Sequence, residues 1–332
     1  MFDTRSLFTE LMERKIATFP PWGELDVEAH ADLSKQPGPP VDWKPVGVDP
    51  SSRRDTWDKL IKETLDIIRR SIWPTFDSAS GDWPPGTLQR RHEMTAADLT
   101  LMLQMQCGNS DILSRPIRTP VSGPAPASHF VFFQSEDNSV FGDRQHEYDS
   151  SLSQTVLAGL SALMVGGFVS KSGTTAKQLK RHLQRPRAYQ MAKVLQIHQF
   201  RYHGAVTADT PSTVSGHAQA GMIMGGSVID SWISNDVPVS DKSLVAIQQY
   251  AVDVGDRRVM AGVHYPSDNI SSWILSLRMA DAVFTNATRV KQHLWAAITQ
   301  RSLVYRRIVR FRPAEVYQDA LNELANLEPG RQ

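Results

Sequence analysis

Three segments in the middle of the chain gather residues able to do chemistry on an anion. They are KQLKRHLQRP from Lys177 to Pro186, the triplet Ser215-Gly216-His217, and RVMAGVHYPSD from Arg258 to Asp268. Together they offer several cations, two imidazoles, a carboxylate, a hydroxyl and a glycine beside that hydroxyl. A tetrahedral oxyanion needs such a set. Cations neutralise its charge, a backbone N–H and a hydroxyl donate hydrogen bonds, one imidazole attacks and another passes a proton.

In the third segment, Gly262 suits the end of one helix and Pro266 the first turn of the next. His264 falls in the connection, and Asp268 follows four residues later. If helical geometry reaches back that far, the carboxylate accepts a hydrogen bond from one imidazole nitrogen. That bond fixes the tautomer and leaves the lone pair of the other nitrogen for attack. Ser215 reads as the N-cap of the apolar helix AQAGMIMGGSVIDSWI, and Gly216 permits close backbone approach. A helix N-terminus favours anions, and His217 lies in its first turn. The first segment is a cationic helix, with Lys177, Lys180, Arg181, Arg185 and Arg187 interleaved with Leu179 and Leu183. Pro186 ends regular helix there. Each segment alone has a plainer explanation: a solvated basic face, a capped helix, a surface histidine beside an N-terminal carboxylate. Their occurrence together, each supplying a different part of one oxyanion site, favours a shared site.

Helices must position these residues. Periodic apolar stripes predict helices over 6–18 and 56–73, the latter capped by Asp55 or Thr56. Residues 19–50 carry many of the 20 prolines and read as an irregular arm. Residues 74–94 read as a loop, and Thr95 caps a helix through about Gln106. The stretch 116–150 is mixed, with one strand-like piece, His129 to Gln134. Beyond Ser151 helices are expected over about 151–168, 174–185, 215–234, 240–257, 267–284, 286–300 and 314–327. The expected architecture is an all-α bundle. Its helical core is expected over 151–286, with an N-terminal extension of 1–150 packed on it and C-terminal helices over 287–332, as one integrated domain. No internal repeat is present.

Composition narrows the function classes. Lys and Arg number 36 against 35 Asp and Glu, so no bulk cationic field points to nucleic acid or an anionic membrane. The single cysteine, Cys107, lies in an apolar helix-like run and reads as a buried thiol. Asp3, Arg5 and Glu10 interrupt any signal-peptide core. The most apolar stretch, Val156 to Phe168, is shorter than the roughly 20 residues a bilayer requires and reads as a core helix. A soluble, cytoplasmic protein without a membrane span is expected.

The order Lys…Arg-Pro, Ser-Gly-His and Arg-x5-His-x3-Asp resembles the signature of the type 2 phosphatidic acid phosphatase (PAP2) superfamily, which includes bacterial acid phosphatases, lipid phosphatases and vanadium-dependent haloperoxidases. The match covers about Lys177 to Asp268. The resemblance implies that His264 is a nucleophile forming a phosphohistidine, that Asp268 orients it, and that His217 protonates the leaving alkoxide and later activates water. It implies that Lys177, Arg185 and Arg258 clamp the phosphoryl oxygens, with Ser215 and the Gly216 N–H as donors and no metal ion. Two departures stand out. The phosphatases usually separate lysine from the Arg-Pro arginine by six residues; Lys177 and Arg185 are separated by seven. On an ideal helix that step lands about 80° off the shared face, against about 20° for the usual one. Arg181 competes for the same position. Arg257 also stands where a serine is common.

The resemblance implies a soluble phosphomonoesterase acting on a small phosphorylated substrate. The alternatives are a vanadium-dependent haloperoxidase, with vanadate at His264, and an inactive anion-binding homologue. The longer Lys177 spacing and long N-terminal part lean toward the haloperoxidase. Thr210, near where such enzymes place a tuning side chain, does not read as one. Trp22, Trp73, Trp83 and His92 are candidate pocket residues. Leu303, Ile308 and Leu321 give the C-terminal helices an apolar face for the core or for a homo-oligomer.

Overall fold

Two of the described helices approach each other closely through small residues. In the computed structural model, residues 51–75, 83–107, 175–176, 178–180, 182–200, 211–308 and 313–330 are described. We number the helices α1 (Ser51–Ser71), α2 (Thr87–Cys107), α3 (Ala188–Val194), α4 (Gly216–Ser234), α5 (Asp241–Met260), α6 (Pro266–Val283), α7 (Ala287–Ile308) and α8 (Pro313–Ala325). Among the described residues there is no strand, and the architecture is all-α. None of their helices is long and apolar enough to cross a membrane. The expected helices over 6–18 and 151–168, the strand-like 129–134, and Trp22, Lys177, Arg181 and Thr210 lie outside the described residues, as do the side chains of Cys107, Arg257, Leu303 and Ile308.

Helix α4 lies against α5, α6 and α7. Its approach to α5 depends on missing side chains. A Cβ on Gly221 would stand 2.8 Å from the Ala251 carbonyl oxygen, and one on Gly255 would stand 2.7 Å from the Ala218 Cβ. Alanine at either position would force the helices apart. Helix α6 is buried along most of its length, including Trp273, Ile274 and Leu277. It contacts α1, α2, α4, α5, α7 and α8. The N-terminal and C-terminal helices therefore meet the central ones directly.

Two helix starts differ from expectation. Helix α1 begins at Ser51, so Asp55 and Thr56 lie within it and do not cap it. Helix α2 begins at Thr87, and Thr95 is a fully buried residue two turns inside. A Pro84-Pro85-Gly86 turn starts α2 instead. Gly86 adopts φ +75°, Thr87 Oγ1 donates to the Pro84 carbonyl at 2.6 Å, and Arg90 N donates to the Gly86 carbonyl at 2.9 Å. The polar run Gln89 to Glu93 hid this beginning, because helical propensity without an apolar stripe gives little periodic signal. Helix α3 was also not expected. It starts after Pro186, with the Gln190 side chain accepting from the Arg187 N–H at 2.7 Å.

Leu321 is buried, and the exposed face of α8 pairs with the N-terminal helices: Arg70 bonds Glu323 at 2.7 Å, and Arg90 bonds Asp319. Such exposed pairs contribute about 0–1 kcal/mol each. They orient α8 more than they stabilise it.

Candidate active site

The end of α5 determines where His264 points. Gly262, at φ +80°, turns the chain back so that the amides of Val263 and His264 both donate to the Arg258 carbonyl, at 3.2 and 3.3 Å. Arg258 and His264 are thereby joined through the backbone. Pro266 then opens α6 at its first position, where a missing N–H costs nothing.

Helical geometry does not reach back to His264, because the N-cap Tyr265 is extended (φ −90°, ψ 155°), yet the imidazole still meets the carboxylate. His264 Nδ1 lies 3.0 Å from Asp268 Oδ2. That carboxylate also accepts from Ser212 Oγ at 2.5 Å, from the Tyr265 N–H at 3.0 Å and from Thr213 Oγ1. Burial alone would raise the Asp268 carboxyl, yet the hydrogen bond from His264, the Arg185 charge and the Ser212 hydroxyl together hold it well below the usual carboxylate range. Asp268 is an ionised acceptor, which places the imidazole proton on Nδ1.

The other nitrogen confirms that tautomer. Arg187 Nη1 stands 2.7 Å from His264 Nε2, and the same nitrogen donates to the Val263 carbonyl at 3.0 Å. A guanidinium only donates, so Nε2 is the acceptor and carries the lone pair. Burial pushes His264 well below its ordinary value, and the positive charges of Arg187 and Lys180 push it further against the pull of Asp268. The imidazole is neutral near pH 7.

His217 is in the same electrostatic neighbourhood. Burial lowers it well below its ordinary value first, followed by Arg258, the His264 imidazole, Arg187 and Lys180. The groups acting on the two imidazoles are thus largely shared. Ser215 caps α4 as expected, accepting from the Ala218 N–H at 3.2 Å. Its carbonyl accepts from Ser272 Oγ at 2.9 Å, which ties the cap to α6. Gly216 has ordinary room around it: an added Cβ would find the Ala176 Cβ at 3.9 Å. Neighbouring protein atoms therefore do not require glycine there. Gly216 and His217 are partly exposed, whereas Ser215, Arg258 and His264 are buried.

Of the expected residues, the structure brings together His217, His264, Asp268, Ser215, Gly216 and Arg258. The expectation for Arg185 is corrected. Its Nη2 pairs with Asp98 Oδ2 at 2.7 Å, while its Nη1 bonds Ser267 Oγ at 2.7 Å and approaches Asp268 Oδ1 at 3.4 Å. It stacks on Tyr265 and Trp73 at 3.8 and 4.5 Å from the ring centroids. Two carboxylates and two rings thus occupy this guanidinium, on the far side of Asp268 from the imidazole. Burial opposes its charge, but Asp98, Asp268 and Tyr265 more than restore it.

The cations beside the imidazoles are Lys180 and Arg187, which the sequence reading did not assign to the site. Lys180 Nζ donates to the carbonyls of Ser212, at 3.0 Å, and Pro211. A signal existed: Lys180 and Arg187 are separated by the usual six residues. The Arg-Pro dipeptide drew attention to Arg185, whereas Arg187 is followed by Ala188. Ser212, Thr213 and Asp98 carried no motif and were also missed. Trp73 is buried against Arg185 and Arg91, so packing accounts for it; Trp83 is 42% exposed and also stacks on Arg91. No group of side chains suited to a metal ion occurs among the described residues.

No family model, curated protein or solved structure matches this chain at a significant level.

Proposed function

We propose that this chain is a phosphatase of the PAP2 type, hydrolysing a phosphomonoester through a phosphohistidine on His264. The observation that carries the reading is the neutral His264 held by Asp268, with its Nε2 lone pair turned toward Arg187 and with His217, Arg258 and Lys180 in electrostatic reach. Lys180 and Arg187 take the clamping parts that the resemblance alone would give to Lys177 and Arg185. The spacing of six between them also removes the support that a longer spacing lent to a haloperoxidase.

In the first step Nε2 attacks phosphorus, the P–O bond to the leaving group breaks, and His217 gives that oxygen a proton. Asp268 stabilises the positive imidazole ring that results. In the second step water attacks phosphorus, His217 takes the water's proton, the N–P bond breaks and phosphate departs. Lys180, Arg187 and Arg258 hold the non-bridging oxygens, whose charge they match without calling for a metal ion. The Gly216 N–H and the Ser215 hydroxyl complete the cradle. Ligand approaches by the partly exposed first turn of α4.

Turnover of p-nitrophenyl phosphate, inhibited by micromolar vanadate, tests the reading. The same cradle fits vanadate, which as a resident cofactor would supply peroxide activation. Halide oxidation appearing only with added vanadate and peroxide would therefore favour the haloperoxidase. Neither activity, in folded protein that binds phosphate, would favour an inactive anion-binding homologue.

A further inference from the structure

Asp98 lies on α2, outside every motif segment, yet it is fully buried beneath the catalytic turn. It accepts four hydrogen bonds: from the Ser267 N–H at 3.0 Å, Ser267 Oγ at 2.5 Å, Tyr317 Oη at 2.5 Å and Arg185 Nη2 at 2.7 Å. Burial raises its carboxyl on balance, against the Arg185 charge and the bonds from Ser267, Tyr317 and Arg185, but the hydrogen-bond geometry argues for the charged form. Four donors on two oxygens is the pattern of an ionised carboxylate. Helices α2, α6 and α8 and the segment carrying Arg185 thus converge on one charge.

Arg185 divides its fork unequally. It lies 2.7 Å from Asp98 and 3.4 Å from Asp268. Asp268 in turn serves His264 through the oxygen that Arg185 does not approach. A guanidinium released from Asp98 would close on Asp268, the other carboxylate in its reach, and would compete with the imidazole for it. Tyr265 and Ser267, both touching Arg185, precede Asp268 in the same turn.

We propose that Asp98 is a positioning residue for His264: by holding Arg185 and Ser267, it keeps the guanidinium back from Asp268 and reserves that carboxylate for the imidazole. The proposal rests on the reading of His264 as nucleophile. Tyr317, reaching Asp98 from α8, supports the same arrangement from the C-terminal end.

The test compares Asp98→Asn and Tyr317→Phe with wild type in the full chain. Two readouts are taken: the ¹⁵N shifts of the His264 ring, and kcat and KM for p-nitrophenyl phosphate. In wild type the shifts should report a proton on Nδ1. In Asp98→Asn they should move toward mixed tautomers, and kcat should fall on the order of ten- to hundredfold. Affinity for inorganic phosphate should stay within about twofold, because Lys180, Arg187 and Arg258 are untouched. Tyr317→Phe should move both readouts the same way by less. Folded Asp98→Asn with wild-type ring shifts would overturn the proposal. If that variant does not fold, wild-type shifts in Tyr317→Phe would overturn it. The ring shifts judge Asp98 even if the wild type turns over no phosphoester, an outcome that would count against the phosphatase reading alone.

Discussion

Arg187 Nη1 donates to His264 Nε2 across 2.7 Å, so the nitrogen assigned to attack is already hydrogen-bonded to the cation assigned to clamp its target. In the proposed reaction an incoming phosphoryl group would resolve that contact. Its oxygens are stronger acceptors than a neutral imidazole, and Arg187 gains a charge-assisted bond by transferring its N–H to them. On that reading the lone pair would be released only when there is something to attack.

The two arginines flanking Pro186 should separate by experiment. Arg187→Gln should lower kcat/KM by about 10²–10³, the usual cost of one oxyanion donor, with a small change in thermal stability. Arg185→Met should destabilise by about 3–5 kcal/mol, because it leaves the buried Asp98 without its cation. Steady-state kinetics with thermal melts would check both. Equal effects from the two variants would mean that the guanidinium roles have been divided wrongly.

Gly216→Ala distinguishes a ligand site from a plain capped helix. The position has room for a methyl group and no positive φ, so the fold should gain about 0.4–1 kcal/mol. Inorganic phosphate affinity should nonetheless fall at least tenfold, since the Cβ occupies the path to the amide. Calorimetry reads both changes, and unchanged affinity would remove Gly216 from the cradle.

If His217 is the general acid of the proposed reaction, acid should raise activity. His217 must carry a proton to act as the acid, and its pKa is depressed, so kcat/KM should fall as pH rises through a value below 6.5. Arg258 is the foremost charge in that depression, after burial. Arg258→Gln should lower the height of the profile and move its alkaline limb to higher pH. A limb that stays in place would separate Arg258 from His217.

Stability should follow the opposite course. Both imidazoles have folded values below that of the unfolded chain, so the unfolded state binds more protons as pH drops. The stability present above pH 6.5 is lost below it, by up to about 1.4 kcal/mol per pH unit for each histidine. Urea melts at pH 7.5 and 5.0 should show this, and saturating phosphate should lessen it. A His217→Gln variant as acid-sensitive as wild type would contradict the assignment.

Much of the local geometry of the candidate site was legible because its parts are close in sequence. His264 and Asp268 are four residues apart and meet across one extended N-cap residue, and Ser215 and Gly216 form one helix start. The helices from α4 onward were legible through their apolar faces. Arg185 was misjudged because its role depends on Asp98, which packing brings from a distant helix whose beginning has no periodic signal. Lys180 and Arg187 needed a chain that leaves the helix at Gln184, at φ +48°, and re-enters at Ala188; a helical wheel cannot show that.

The most direct measurement is of the covalent intermediate. Protein mixed with p-nitrophenyl phosphate is quenched into alkali within milliseconds, and the modified residue is located by mass spectrometry. Phosphate should appear on His264 in wild type. It should accumulate further in His217→Gln, because p-nitrophenolate departs without an acid while the water step loses its base, and His264→Asn should give none. A folded, active wild type that never carries phosphate on His264 would contradict covalent catalysis by this residue.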